Sequence, residues 1–127
     1  MKRVRYFVPA VLLYLLIFIL SSQDIDFDLP GHGLDKVAHF FEFALQGFLL
    51  SLGFFNALTL SPGMKSILAF VTGLSMGILD EYHQLFVPHR RSDIRDVLAD
   101  AAGVICGILV YRYLAKRKKR GPENETA

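Results

Sequence analysis

Four apolar stretches, residues 6–22, 37–60, 67–87 and 97–114, divide this chain and leave little else to fold. Each approaches the roughly 20 residues needed to cross the hydrocarbon of a bilayer, the first and last lying near the lower end of about 17. The first carries no charged residue between Tyr6 and Leu20 and no polar stripe at helical spacing, so it lacks the face that a water-soluble bundle would turn outward. With 127 residues and 53% hydrophobic content, one domain of membrane type is expected. The expected fold is all-α: a compact bundle of four transmembrane helices over residues 1–115, with a basic and then polar tail, 116–127, that reads as disordered.

The charges assign an orientation. With both termini in the cytoplasm, ten basic residues face inward (Lys2, Arg3, Arg5, Lys65, Arg112, Lys116, Arg117, Lys118, Lys119 and Arg120) and four outward (Lys36, Arg90, Arg91 and Arg95). That is the asymmetry of the positive-inside rule. Acidic residues mirror it: apart from Glu123 and Glu125, all lie between Asp24 and Asp100, and none falls in residues 43–79. A signal peptide ending near Ser21 and Ser22 is the competing reading of the first stretch, but no small-x-small cleavage pattern follows, and its removal would leave three spans. The basic residues cluster at the chain ends, not along one amphipathic face, so nucleic acid is not an expected partner. The single cysteine, Cys106, lies in an apolar stretch and excludes an intramolecular disulfide and a multi-cysteine zinc site. Residues 23–35 read as a flexible outer loop and 56–65 as a short inner turn.

Ionisable groups near the outer ends of the spans carry the functional signal, because a charge in hydrocarbon costs a few kcal/mol unless paired or hydrated. Asp35, His39, Glu42 and Gln46 share one face of the second helix, and Asp80, His83 and Gln84 share one on the third, with Glu81 beside them. On the fourth, Asp93, Asp96 and Asp100 continue into Gly103 and Gly107, so its acidic face is also a small-residue packing face. Gly73 and Gly77 give the third helix the same four-residue spacing. Three polar faces at one depth should converge on an interior cluster.

Three uses of such a cluster stay open. Pairs such as Arg90 with Asp96, or Lys36 with Asp80, would tie the bundle together with no ligand. A headgroup-binding or catalytic pocket would use Arg90 or Arg91 on a phosphate and His39, Glu42, Glu81 or His83 as proton carriers. His39, Glu42, Glu81 and His83 also suit zinc or manganese by type, but lack tight ligand spacing, so no metal or cofactor is assigned. His32 and His89 fall in loops and are expected to be solvated.

These same residues resemble the VanZ-like family of bacterial membrane proteins, named for a protein associated with teicoplanin resistance. Three blocks carry the resemblance: Asp35-Lys36-Val37-Ala38-His39-Phe40 continuing to Glu42; Asp80-Glu81-Tyr82-His83-Gln84 with Phe86-Val87-Pro88 and Arg90; and Asp96-Val97-Leu98-Ala99-Asp100 with Gly103 and Gly107. Phe43 stands in place of a tyrosine, His89 in place of a glycine before the arginine, and Asp100 in place of an asparagine found in many members. The resemblance implies a multi-pass protein of the bacterial cell (inner) membrane, linked to the envelope and antibiotic response, and no established reaction. The expected ligand site is Asp35, Lys36, His39, Glu42, Asp80, Glu81, His83, Gln84, Arg90, Asp96 and Asp100. The expected partners are the bilayer and a lipid-linked or phosphate-bearing envelope molecule. A membrane-embedded hydrolase or transferase and a ligand-free structural bundle are the alternatives.

Overall fold

A computed structural model describes residues 3–23 and 33–121, and among them every regular element is helical. A 3-10 turn, Val4–Phe7, leads into α1 (Val8–Ser21); α2 (Leu34–Ala57), α3 (Pro62–Gln84) and α4 (Ile94–Arg120) follow. Alone, α1 at 14 residues is too short for a hydrocarbon core of about 30 Å at about 1.5 Å per residue. The preceding turn completes an 18-residue span, Val4–Ser21, and all four spans are long and apolar enough to cross a membrane.

The helices are offset from the apolar stretches. α2 and α3 each start and stop a few residues before the expected limits, because Asp35 and Lys36 extend the first turn of α2 and Ser61 caps α3. The Ser61 hydroxyl accepts from Met64 N at 3.3 Å, and Pro62 fits the first turn, where an N–H is dispensable. α4 runs to Arg120, so residues 116–120 of the expected disordered tail are helical; residues 122–127 lie outside the described residues. Arg117, Lys118, Lys119 and Arg120 crowd that last turn, where the carbonyl end of the helix favours cations. Most of the expected outer loop, residues 24–32 with His32, also lies outside the described residues.

The bundle is polar within and apolar without. Leu16, Phe41, Leu45, Ile78, Leu98 and Leu109 lie on its exterior, whereas Gln46, Asp80, Glu81, Asp96 and Asp100 are buried. A soluble protein does the reverse; this distribution suits a surface that meets lipid. The apolar interior, Ala10, Ile17, Phe43, Leu50, Ala69, Val104 and Ile108, fills the rest of the bundle.

α2 and α4 are the most closely packed pair, and glycine sets their approach. A Cβ on Gly107 would fall on the Ala44 carbonyl oxygen, and one on Gly103 on the Phe40 carbonyl oxygen. From the other side Gly47 faces the Val104 backbone, where a Cβ would lie 2.5 Å from its carbonyl oxygen. The Gly103/Gly107 face therefore meets α2, with Gly47 as its counterpart. On α3, Gly73 receives the Val104 side chain and Gly77 the Asp100 carboxylate.

Gly107→Val should destabilise the protein by about 3 kcal/mol, the cost of overpacking against backbone that has no space to yield. Gly63→Ala, with nothing within 4 Å of the added carbon, should fall within about 0.5 kcal/mol of the parent. Denaturant unfolding in detergent reads both.

Candidate functional site

Because the chain alternates direction, α2 and α4 begin at the same end of the bundle at which α1 and α3 finish. That end gathers the polar side chains. Lys36, in the first turn of α2, reaches across to α4: its Nζ lies 3.1 Å from Asp96 Oδ1 and 3.5 Å from Asp93 Oδ2, and 3.2 Å from Asp35 Oδ2 on its own helix. One turn deeper, His39 Nδ1 is 2.9 Å from Asp100 Oδ1. Asp100 has no exposed surface, and its second oxygen occupies the space left by Gly77, where a Cβ would come within 2.8 Å of Oδ2.

The link before α4 completes the rim. Asp93 caps that helix, its Oδ1 accepting from Arg95 N at 2.9 Å, while its own N–H donates to Glu81 Oε2 at 3.0 Å. The Arg95 N–H, with Lys36 behind it, holds the Asp93 carboxyl below its ordinary range. Gln84 Nε2 donates to Asp80 Oδ2 at 3.1 Å. His89 has φ of 60°. In that left-handed region glycine is favoured, which accounts for the glycine usual at this position and for histidine as the tolerated departure.

Several expected pairings come out differently. Lys36 meets Asp96, not Asp80: Lys36 stands at the rim with the start of α4, whereas Asp80 lies a turn inside the end of α3 and is taken by Gln84. Arg90 does not pair with Asp96 among the described residues; its NH2 group is 3.5 Å from the Leu20 carbonyl oxygen of α1. His83 is not in the cluster. It lies about 160° around α3 from Glu81, where its Nε2 is 2.9 Å from Ser22 Oγ and its ring stacks on Phe18 at 4.3 Å between centroids. Gln46 also turns to α1, donating to the Ala10 carbonyl at 3.1 Å. Glu42 is half-buried beside the His39 level. The sequence reading left Asp93, Ser22 and Gly47 out of the site. Asp93 was detectable as an aspartate at a helix start; the other two depend on which helix lies opposite.

Four carboxylates are thus buried at one end: Asp80, Glu81, Asp96 and Asp100. Of these four, only Asp96 and Asp100 have a basic side chain within 4.0 Å among the described residues. Asp80 Oδ1, Glu81 Oε1, Asp100 Oδ2 and Arg90 Nε are buried with no hydrogen-bond partner among the described residues. Folded proteins seldom leave such groups unsatisfied, so each is open to a water, an ion or a ligand atom.

The His39–Asp100 pair should show a coupling of about 1–3 kcal/mol in a double-mutant cycle of His39→Ala and Asp100→Ala. The Ser22–His83 pair, nearer the rim, should couple by about 0.5 kcal/mol. Equal couplings in detergent unfolding would refute this ranking of the two contacts.

No curated protein and no solved structure matches the chain. The VanZ/LLP1 family model matches residues 6–116, which takes in α1, α2 and α3 whole, α4 up to its last turn, and every residue of the cluster. With four helices long and apolar enough to span a membrane, this protein belongs to the VanZ/LLP1 family.

Proposed function

We propose that the polar end of the bundle faces outward from the bacterial cell (inner) membrane and binds the headgroup of a lipid-linked or phosphate-bearing envelope component, through which the protein affects glycopeptide (teicoplanin) susceptibility. The observation that carries this reading is the set of buried polar atoms left without partners on Asp80, Glu81, Asp100 and Arg90. A headgroup rich in hydroxyls or amines supplies donors to the carboxylates. Its phosphate meets Arg90, whose Nε lacks an acceptor, more readily than Lys36, which already shares three carboxylates. Asp35, Lys36 and Asp96 form the rim, His39, Glu42, Asp80, Glu81, Gln84 and Asp100 line the interior, and His83 closes the side against α1.

One observation favours the hydrolase or transferase reading as well: Asp100 holds His39 by Nδ1, which leaves Nε2 as a base of fixed tautomer. Turnover separates the two. Purified protein that retains lipid and releases no product over hours is a binding module.

Native mass spectrometry of gently extracted protein should find a lipid retained by the wild type and lost from Glu81→Ala and Arg90→Ala. If those variants accumulate normally yet every envelope and resistance phenotype of the host is unchanged, the pocket has no such role. If they only lower thermal stability and nothing co-purifies, the cluster is internal glue. Orientation is tested by cysteine labelling in a Cys106→Ser background: Ser92→Cys should react with an impermeant maleimide on intact spheroplasts, and Asn56→Cys only after lysis.

A further inference from the structure

His39, Glu81 and Asp96 come from three different helices, yet each offers a metal-ligating atom, and these atoms lie within 4.8 Å of one another. Ligands at about 2.1 Å on a tetrahedral ion lie about 3.4 Å apart, so the widest pair of this trio would close by up to about 1.4 Å around an ion, a movement of the size of a side-chain rotation. Closeness of acidic groups is common and proves nothing by itself. Here a second feature points to a ligand: Glu81 is 3% exposed, one of its oxygens is held by the Asp93 N–H with the Ser92 side chain beside the carboxylate, and Oε1 is buried with no hydrogen-bond partner among the described residues.

The surrounding contacts arrange each donor. His39 Nδ1 lies 2.9 Å from Asp100 Oδ1; with the proton on Nδ1 donated to that oxygen, the Nε2 lone pair is the one offered to an ion, as in carboxylate–histidine–metal triads. Lys36 occupies Asp96 Oδ1 and leaves Oδ2. Charge agrees: beside one ammonium and the Arg90 guanidinium stand four buried carboxylates and the half-buried Glu42, an excess that a divalent cation would offset.

We propose that His39, Glu81 and Asp96 form a site for a divalent first-row cation of the zinc or manganese type. One nitrogen and two carboxylate oxygens suit such ions; Glu42 and His83 are not part of the trio. The ion site stands on its own geometry. Its use as a bridge to a headgroup phosphate rests on the binding role proposed above.

The test uses the full chain in zwitterionic detergent, stripped with chelator and desalted, then titrated with manganese chloride while free ion is followed by electron paramagnetic resonance. One manganese per chain, displaced by zinc, is expected, and pulsed spectra of the wild type should show nitrogen coupling from one imidazole. His39→Gln and Glu81→Gln should weaken binding at least tenfold, the scale expected when a ligand is removed, with His83→Gln within twofold of the parent. Lys36→Met, which frees Asp96 from its ammonium, should bind at least as tightly as the parent. The proposal is overturned by sub-stoichiometric binding, by the absence of nitrogen coupling, or by His39→Gln binding like the wild type. Because the nitrogen signal is read on unmutated protein, misfolding of a variant does not block the decision. Ion binding in detergent without any co-purified lipid would leave the site standing and remove the headgroup role, whereas lipid retained by protein that binds no ion would do the opposite.

Discussion

The contact on which the other features rest is the backbone approach of α2 to α4 through Gly103, Gly107 and Gly47. In lipid, apolar side chains gain nothing by leaving the solvent for each other, so helices associate through close packing and polar contacts. Removing Cβ at Gly103 and Gly107 lets the Phe40 and Ala44 carbonyls lie against α4. Once those helices are that close, shorter side chains span the gap. His39 reaches Asp100 and Lys36 reaches Asp96 at hydrogen-bond distance, which a helix pair held apart by leucines would not allow. The same helix face thus packs at one end and does polar chemistry at the other.

α3 enters this pair as a lid on its open side. Gly73 accommodates Val104 and Gly77 accommodates Asp100, and four residues beyond Gly77 the chain presents Glu81 to the Asp93 N–H. Gly77 is therefore a site residue by subtraction: it makes the space that a carboxylate fills. α1 touches α2 and α3 but makes no direct contact with α4, and it is fastened by polar ties, Tyr14 to the Met76 carbonyl at 3.3 Å and Gln46 to the Ala10 carbonyl at 3.1 Å. Its C-terminal end, with Leu20 and Ser22, borders Arg90 and His83.

Hydropathy and spacing made part of this legible. The four spans follow from charge-free length, a one-dimensional property, and the polar faces of α2 and α4 follow from helical period, which is local. Azimuth between helices is neither. Nothing in the spacing of Gly103 and Gly107 says whether α2 or α3 lies opposite, so Gly47 went unseen. His83 shares a nominal face with Asp80 and Gln84, but a face of about 100° is wide enough to border two neighbours, and His83 falls on the side of α1 while Glu81 falls toward α4. Lys36 was matched to Asp80 by charge alone, whereas depth along antiparallel helices decides the partner: residues near the start of α2 meet those near the start of α4. The end of α4 was set too early because lysine and arginine end an apolar stretch without ending a helix; both are good helix formers, and their charge suits the C-terminal turns.

The arrangement also bears on why the cluster persists. Buried ionic networks are seldom worth more to stability than apolar residues of equal volume, and at membrane depth the penalty for an unpaired carboxylate is larger. A bundle selected for stability alone would have filled the positions of Asp80, Glu81 and Asp100 with leucine and alanine, as it filled Leu50, Ala69 and Val104 deeper in the interior. Instead the cluster holds acceptors that the helices themselves leave unanswered, beside a histidine whose ring is oriented by a fully buried aspartate. Orientation of a group is costly when its only task is to fill space, and is useful when an incoming atom must meet it. A bound cation or a donor-rich headgroup, as proposed above, would answer those acceptors and offset the cost of holding the carboxylates together.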